Sequence, residues 1–144
     1  MGSFIPERLE ELIEDFAMLE GQEKLMYLLE LSEELPDLPE RLLAIREQFG
    51  QVHECMSPVF IHAEVEDGRM AYYFDIPREA PTVRGYGQIL SEGLNGLSPE
   101  QVLSVDDMFY LQMQLQKVIS GQRLNGMSAI LRYMKNLAQA QLAG

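Results

Sequence analysis

Cysteine occurs once in the 144 residues, at Cys55, inside the stretch VHECMSPVF that spans 52–60. A thiol can attack a sulfur or carbon electrophile and carry a transferable sulfur, or it can be a small buried apolar filler. The neighbours of Cys55 favour a turn. Pro58 has no backbone donor, which suits a turn or a sheet edge, and Ser57 can offer a hydroxyl to the same loop. Glu54 places a negative charge beside the sulfur and should raise the thiol above its reference pKa of about 8.5. His53 and Cys55 are two apart and would share one face of a strand, with His62 or Glu64 needed to complete a metal set. That spacing matches no standard zinc pattern, and no metal site is assigned. In GQRLNGMSA, residues 121–129, Arg123 stands among Gly121, Asn125 and Gly126 at the start of a predicted helix. Free amides and a guanidinium there could stabilise a thiolate or persulfide if this end packs near Cys55; the alternative is ordinary helix-start chemistry with one solvated arginine. Glu10, Glu11, Glu14 and Asp15 read as a solvated helix face. There is no phosphate loop, dinucleotide fingerprint or nucleophile elbow.

The elements that must position these groups follow from periodicity. Leu9, Leu12, Ile13, Phe16 and Leu19 make a helical stripe over 6–20, with Pro6 near the first turn. A second helix is predicted over 22–34, with Leu25, Leu28 and Leu29 on one side. The Pro36 and Pro39 turn follows, then a third helix over 39–49 ending at Gly50. The period then changes. A short strand over 51–54 leads into Cys55, and strands over 58–66 and 69–76 flank the turn signal Glu66–Asp67–Gly68. Met70, Tyr72, Phe74 and Ile76 should share one face. Beyond Pro77 and Pro81, helices are predicted over 82–93, from a Ser98 cap with Pro99 at the first position, from an Asp106 cap carrying Phe109, Met113 and Val118, and after Gly121 with Leu124, Met127, Ile130, Leu131 and Met134. Helices, strands, then helices argue for an α+β fold with a small three-stranded antiparallel sheet packed against several helices.

Length fits one domain over 1–144 with a core that needs no disulfide or metal. A single cysteine excludes an intrachain disulfide and any multi-cysteine zinc or iron–sulfur site built by one chain, and points to a reducing, cytoplasmic setting. The start MGSFIPERLE lacks the secretion-signal pattern, and Pro6 stands where N-myristoylation wants Ser or Thr. No apolar run approaches the roughly 20 residues of a membrane span, so no membrane association is expected. The formal net charge of −12 would repel a phosphate backbone. Nucleic acid is therefore not an expected partner, and a protein with a basic patch is a better one. The positive exception is residues 121–144, which hold Arg123, Arg132 and Lys135 and no acid.

Five segments, in order, carry a resemblance to the SufE family of sulfur-acceptor proteins. LLELSEELPDLPE (28–40) is similar to the family's helix and Leu-Pro turn. VHECMSPVFI (52–61) resembles its Val-x-Gly-Cys-Gln-Ser-x-Val-Trp segment, which sets Cys55 on the sulfur-accepting cysteine. APTVRGYGQIL (80–90), LNGLSPEQVLSVD (94–106) and SGQRLNGMSAIL (120–131) resemble its Ala-x-Ile-Val-Lys-Gly, Tyr-x-Gly-x-Thr-Pro-Glu-Glu-Ile and Ser-x-x-Arg-x-Asn-Gly segments. The departures are Glu54 for Gly, Met56 for Gln and Phe60 for Trp. Glu54 forgoes easy positive φ and adds a charge next to the sulfur.

The resemblance implies a SufE/NifU-like α+β fold with the cysteine on a loop beside an apolar cavity. It implies a sulfur carrier that activates a desulfurase by transpersulfuration rather than an enzyme acting alone. Cys55 would take sulfur from the persulfide of a cysteine desulfurase and pass it to an iron–sulfur scaffold protein. Ser57 would shape the loop, and Arg123 and Asn125 would support it. No cofactor is implied for this chain, since pyridoxal phosphate would belong to the desulfurase. A non-catalytic module of the same fold that binds a desulfurase or scaffold is the alternative. A thiol redox enzyme would need a depressed thiol pKa, against which the acidic surroundings argue.

Overall fold

The computed structural model describes residues 4–143. Helix α1 (Glu7–Met18) and helix α2 (Gln22–Glu34) meet at a left-handed Gly21, φ 50°. Helix α3 (Glu40–Leu43) and a 3-10 turn (Arg46–Gln48) lead to strands β1 (Gly50–Gln51), β2 (Phe60–Glu66) and β3 (Arg69–Asp75). Helix α4 (Pro81–Leu94), the short α5 (Pro99–Leu103) and α6 (Phe109–Gln112), a second 3-10 turn and the long α7 (Gly121–Ala143) complete the chain. The three strands form one antiparallel sheet in the order β1-β2-β3, as the sequence pattern predicts.

The hairpin forms at its predicted turn. Glu66 pairs with Arg69, and both intervening residues have positive φ, 54° at Asp67 and 77° at Gly68. That conformation matches the twist of the flanking strands. Met70, Tyr72, Phe74 and Ile76 are all buried, so β3 presents its alternate residues to the helices. The free edge of β3 is closed by the chain after α4. Met70 N–H donates to the Leu97 carbonyl at 2.7 Å, Gly96 N–H to the Met70 carbonyl at 2.9 Å, and Tyr72 N–H to Asn95 Oδ1 at 2.6 Å. Ser98 and Gln101 form a reciprocal capping box that starts α5.

Three expectations are corrected. The strand expected over 51–54 stops at Gln51, because Val52 turns into the core and its N–H bonds the Val59 carbonyl at 2.9 Å. The helix expected over 39–49 breaks into α3 and a 3-10 turn. Only Leu42 is buried across the two pieces, too little packing to sustain a longer helix. The helix expected from Asp106 splits at Gln114, which is left-handed at φ 62°, ψ 31°. Met113 and Leu115 are both wholly buried although two apart, a spacing that a continuous helix would send to opposite sides. Asp106 caps a turn instead, its Oδ1 accepting the Met108 N–H at 2.9 Å.

Helix α4 is the centre of the packing. Every residue from Arg84 to Leu90 is buried, and α2 lies closely along it. On α2 the inward residues are Lys24, Leu28, Leu31 and Ser32, whereas Leu29 faces out. Two buried cations tie backbone ends together. Lys24 Nζ donates to the carbonyls of Phe16, at 2.6 Å, and Leu19 at the C-terminal end of α1. The Arg84 guanidinium reaches the carbonyls of Ile76 at 2.6 Å and of Ser32 and Leu35 at 3.3 Å each, so it pins the end of α2 to the end of β3.

Two tyrosines give the core an alkaline limit. Tyr86 is wholly buried, stacked on Phe109 with ring centroids 5.8 Å apart, and its hydroxyl finds no partner among the described residues. Tyr72 donates to the Met134 carbonyl at 2.7 Å. Burial raises both phenols well above their ordinary range. The unfolded chain releases these protons near pH 10 and the folded one does not. Stability is therefore complete below about pH 10 and falls as pH climbs beyond it. In a titration read at 295 nm, Tyr72 and Tyr86 should ionise only together with loss of the far-UV circular dichroism. Ionisation of all six tyrosines with the fold intact would contradict this.

Candidate functional site

Cys55 sits on a loop whose base is locked. Val52 and Val59 are both buried and share the backbone bond that closes residues 53–58. A second bond, Cys55 N–H to the Val52 carbonyl at 3.3 Å, folds the loop back on itself. The open side faces α7. There the Cys55 thiol donates to the Gly126 carbonyl at 3.5 Å. A Cβ at position 126 would lie 3.3 Å from Sγ, 3.4 Å from Cys55 Cα and 3.6 Å from the Glu54 carbonyl oxygen. A methyl here would be tight and a larger side chain would press on the loop, so glycine suits this close seat on the helix.

A cavity of about 230 Å³ opens beside the sulfur. The loop contributes Cys55, Met56 and Ser57, the first turn of α4 contributes Thr82 and Val83, and α7 contributes Gln122, Arg123, Gly126 and Met127. Helix α7 is started by Ser120, whose Oγ accepts the Arg123 N–H at 3.3 Å, and this fixes where the guanidinium leaves the helix. Cys55 is half-buried. Its thiol is pushed up to about 11, first by burial and then by the charge of Glu54. It is thus protonated at neutral pH and a weak nucleophile while the loop is seated. On the outer side, Glu54 Oε2 and Arg132 Nη2 are 4.0 Å apart, a loose exposed pair of little energetic weight.

The structure brings Cys55, Ser57 and Arg123 together around one cavity. Asn125 is exposed and does not line it. His53 is exposed in the turn, not on a strand with Cys55. His62 lies on β2, stacked on Phe49 at 4.9 Å, with Nε2 3.1 Å from Glu64 Oε2. Glu64 is claimed by Arg41, whose two nitrogens each reach it at 2.8 Å and hold its carboxyl down to about 2. Thr82, Val83, Gln122 and Met127 are lining residues that reading for chemistry missed. Met127 fits the core stripe of α7, and nothing local marks its exposure to the cavity.

A single half-buried thiol thus sits on a loop between a three-stranded sheet and the starts of two helices of an α+β fold. Residues 10–138 match the family described as the SufE Fe-S metabolism associated domain. The chain belongs to the SufE family and is thereby linked to Fe-S metabolism. It is 42% identical over 132 residues to two SufE-like proteins of Mycobacterium tuberculosis, both described as uncharacterized, with 91% of each chain covered. It is 29% identical over 107 residues to a Plasmodium vivax protein called cysteine desulfuration protein SufE, covering 73% of this chain and 41% of that one. The solution structure of a hypothetical protein from Thermus thermophilus superposes with a TM-score of 0.85 at 35% identity, covering 98% of this chain and all of that one. Among the described residues, no helix is long and apolar enough to cross a membrane.

Proposed function

We propose that the protein is a sulfur carrier that accepts a sulfane sulfur on Cys55 from the persulfide of a cysteine desulfurase and delivers it to an iron–sulfur scaffold. The observation that carries this reading is the seat of the sole thiol, at the lip of a cavity far larger than the roughly 30 Å³ that a water molecule occupies. One added sulfur has room there, and the half-buried seat reduces its exposure to bulk oxidants and reductants. Family membership and the desulfuration named for the Plasmodium relative support the same reading.

In the step proposed, the Cys55 thiolate attacks the outer sulfur of the donor persulfide. A new S–S bond forms on Cys55, the donor's S–S bond breaks, and the donor cysteine leaves as thiolate. One sulfur atom moves without net oxidation, and the proton displaced from Cys55 passes to the departing thiolate or to water. The seated thiol is too basic for this attack, so the loop must first lift from Gly126 toward the donor, a gating movement. The persulfide is more acidic than the thiol. Arg123, at the cavity and exposed, supplies positive charge for it, and Ser57 shapes the loop. Pyridoxal phosphate belongs to the desulfurase.

Intact-mass measurement after incubation with a desulfurase and cysteine tests the reading. The wild type should gain one sulfur, about 32 Da, removable by thiol reductant, and Cys55→Ser should gain none. Absence of the adduct on the wild type at saturating desulfurase overturns it. The acid beside the sulfur favours a second reading, a module that regulates the desulfurase without carrying sulfur. That reading requires Cys55→Ser to stimulate the desulfurase as strongly as the wild type.

A further inference from the structure

Nine large apolar side chains are exposed among the described residues, and three of them, Met18, Met26 and Leu29, lie together at the end of α1 and along the outer side of α2. Met18 is 82% exposed and Met26 60%. Two hollows of about 520 and 510 Å³ flank this ridge and meet at Met26 and Glu30, which line both. The inner side of α2 is already committed to α4, so the outer apolar residues serve no internal packing. Carboxylates rim the groove, Asp15 and Glu23 at one end, Glu30 and Glu33 at the other. Two arginines also line the second hollow, Arg78 in an exposed pair with Asp37 at 3.1 Å and Arg84 held on backbone carbonyls, so the four carboxylates outnumber the cations and the acidic excess lies toward Asp15 and Glu23.

The groove adjoins the sulfur site. Its second hollow reaches Pro81 and Arg84, in the same first turn of α4 whose Thr82 and Val83 line the Cys55 cavity. A partner that covers the mouth of that cavity needs a further several hundred Å² of contact to bind specifically, with an apolar centre. Across one helical turn the groove offers that centre. Methionines adapt to an incoming side chain, and an acidic rim selects and steers a cationic one.

We propose that this groove docks a helix of the sulfur donor that bears apolar residues at helical spacing flanked by lysine or arginine. The proposal rests on the sulfur-carrier reading for the identity of the donor, and its test separates the two. The rate of sulfur loading on Cys55 is measured against carrier concentration, with a desulfurase and cysteine. Met26→Glu/Leu29→Glu should raise the half-saturating concentration at least tenfold and leave the maximal rate unchanged. Glu30→Lys/Glu33→Lys should raise it about fivefold and flatten its dependence on salt. All four side chains point to solvent or line the groove. Unaltered thermal melting and unaltered Cys55 labelling by iodoacetamide check that fold and thiol are intact. Half-saturation within twofold of wild type in both variants overturns the proposal. If the wild type takes up no sulfur, the carrier reading fails alone, and direct binding to the immobilised desulfurase decides the groove. Weaker binding by Met26→Glu/Leu29→Glu supports it, and equal binding overturns it. A wild-type dimer in sedimentation that the same variant dissociates also overturns it, by giving the groove to a second copy of this chain.

Discussion

In a Gly126→Leu variant, Cys55 should react with iodoacetamide at pH 8 at least tenfold faster than in the wild type. A Cβ at this position already stands 3.3 Å from Sγ and 3.4 Å from the Cys55 Cα. The rest of a leucine would occupy the place of the loop, and the loop must lift. Leucine is a strong helix former, so α7 itself should persist. Release removes the burial that is the leading cause of the raised thiol pKa. A fall from about 11 toward the ordinary value of 9.0 gives at most about a hundredfold more thiolate at pH 8, because Glu54 stays beside the sulfur. The intrinsic nucleophilicity of that thiolate falls by up to about tenfold over the same interval, so the net gain in reactivity is up to about tenfold and the gain in access adds to it. Gly126→Ala should fall between, because its neighbours need yield only a few tenths of an ångström. Equal labelling of Gly126→Leu and wild type would mean that the thiol reacts without leaving α7.

Gly85→Ala should be the most damaging of the described glycine-to-alanine changes that press the new methyl on backbone. An added Cβ would meet the Leu28 carbonyl oxygen at 2.3 Å and its carbon at 3.0 Å. Both are backbone atoms of α2, and no rotamer change relieves the overlap. The two helices must part by about an ångström, and Leu28 and Leu31 lose their fit against α4. Alanine in place of glycine returns up to about 1 kcal/mol of helix propensity, so the net loss should be about 3 kcal/mol. Urea unfolding followed by circular dichroism should show the midpoint lowered by about 1 M or more. Gly121→Ala is the control. It meets nothing within 4 Å and should not destabilise. A Gly85→Ala midpoint equal to wild type would show that α2 slides freely on α4.

Much of the fold was legible because several of its signals are local. Asp67–Gly68 supplies a turn, Ser98 and Pro99 supply a helix start, and the alternation from Met70 to Ile76 supplies a buried face. Two of the misread elements are those in which tertiary packing overrode periodicity, and the third, over 39–49, lacked the packing to sustain its helix. Gln114 accepts a left-handed conformation so that Met113 and Leu115 can both point inward, and Val52 leaves the strand to close a loop. The site divides in the same way. Cys55 and its turn are visible in the sequence through Pro58 and Ser57. The seat is not, because it depends on α7 returning some seventy residues later to set a carbonyl against the thiol. Arg123 and Asn125 are near neighbours in the sequence, yet one lines the cavity and the other faces solvent, a matter of helical phase that the Asn-Gly pattern alone does not fix.

The clamp between Val52 and Val59 sets how far the sulfur can travel. Both valines are held in the core, so the tether available to Cys55 is the stretch of chain between them. Two residues, His53 and Glu54, separate Cys55 from its nearer anchor, and the three backbone steps allow an excursion of roughly 10 Å when the loop is drawn out straight. A donor whose reactive sulfur lies at the bottom of a shaft deeper than that cannot be served from this surface. On the carrier reading, the depth of a donor's entrance is thereby bounded by how firmly Val52 and Val59 are held in this chain.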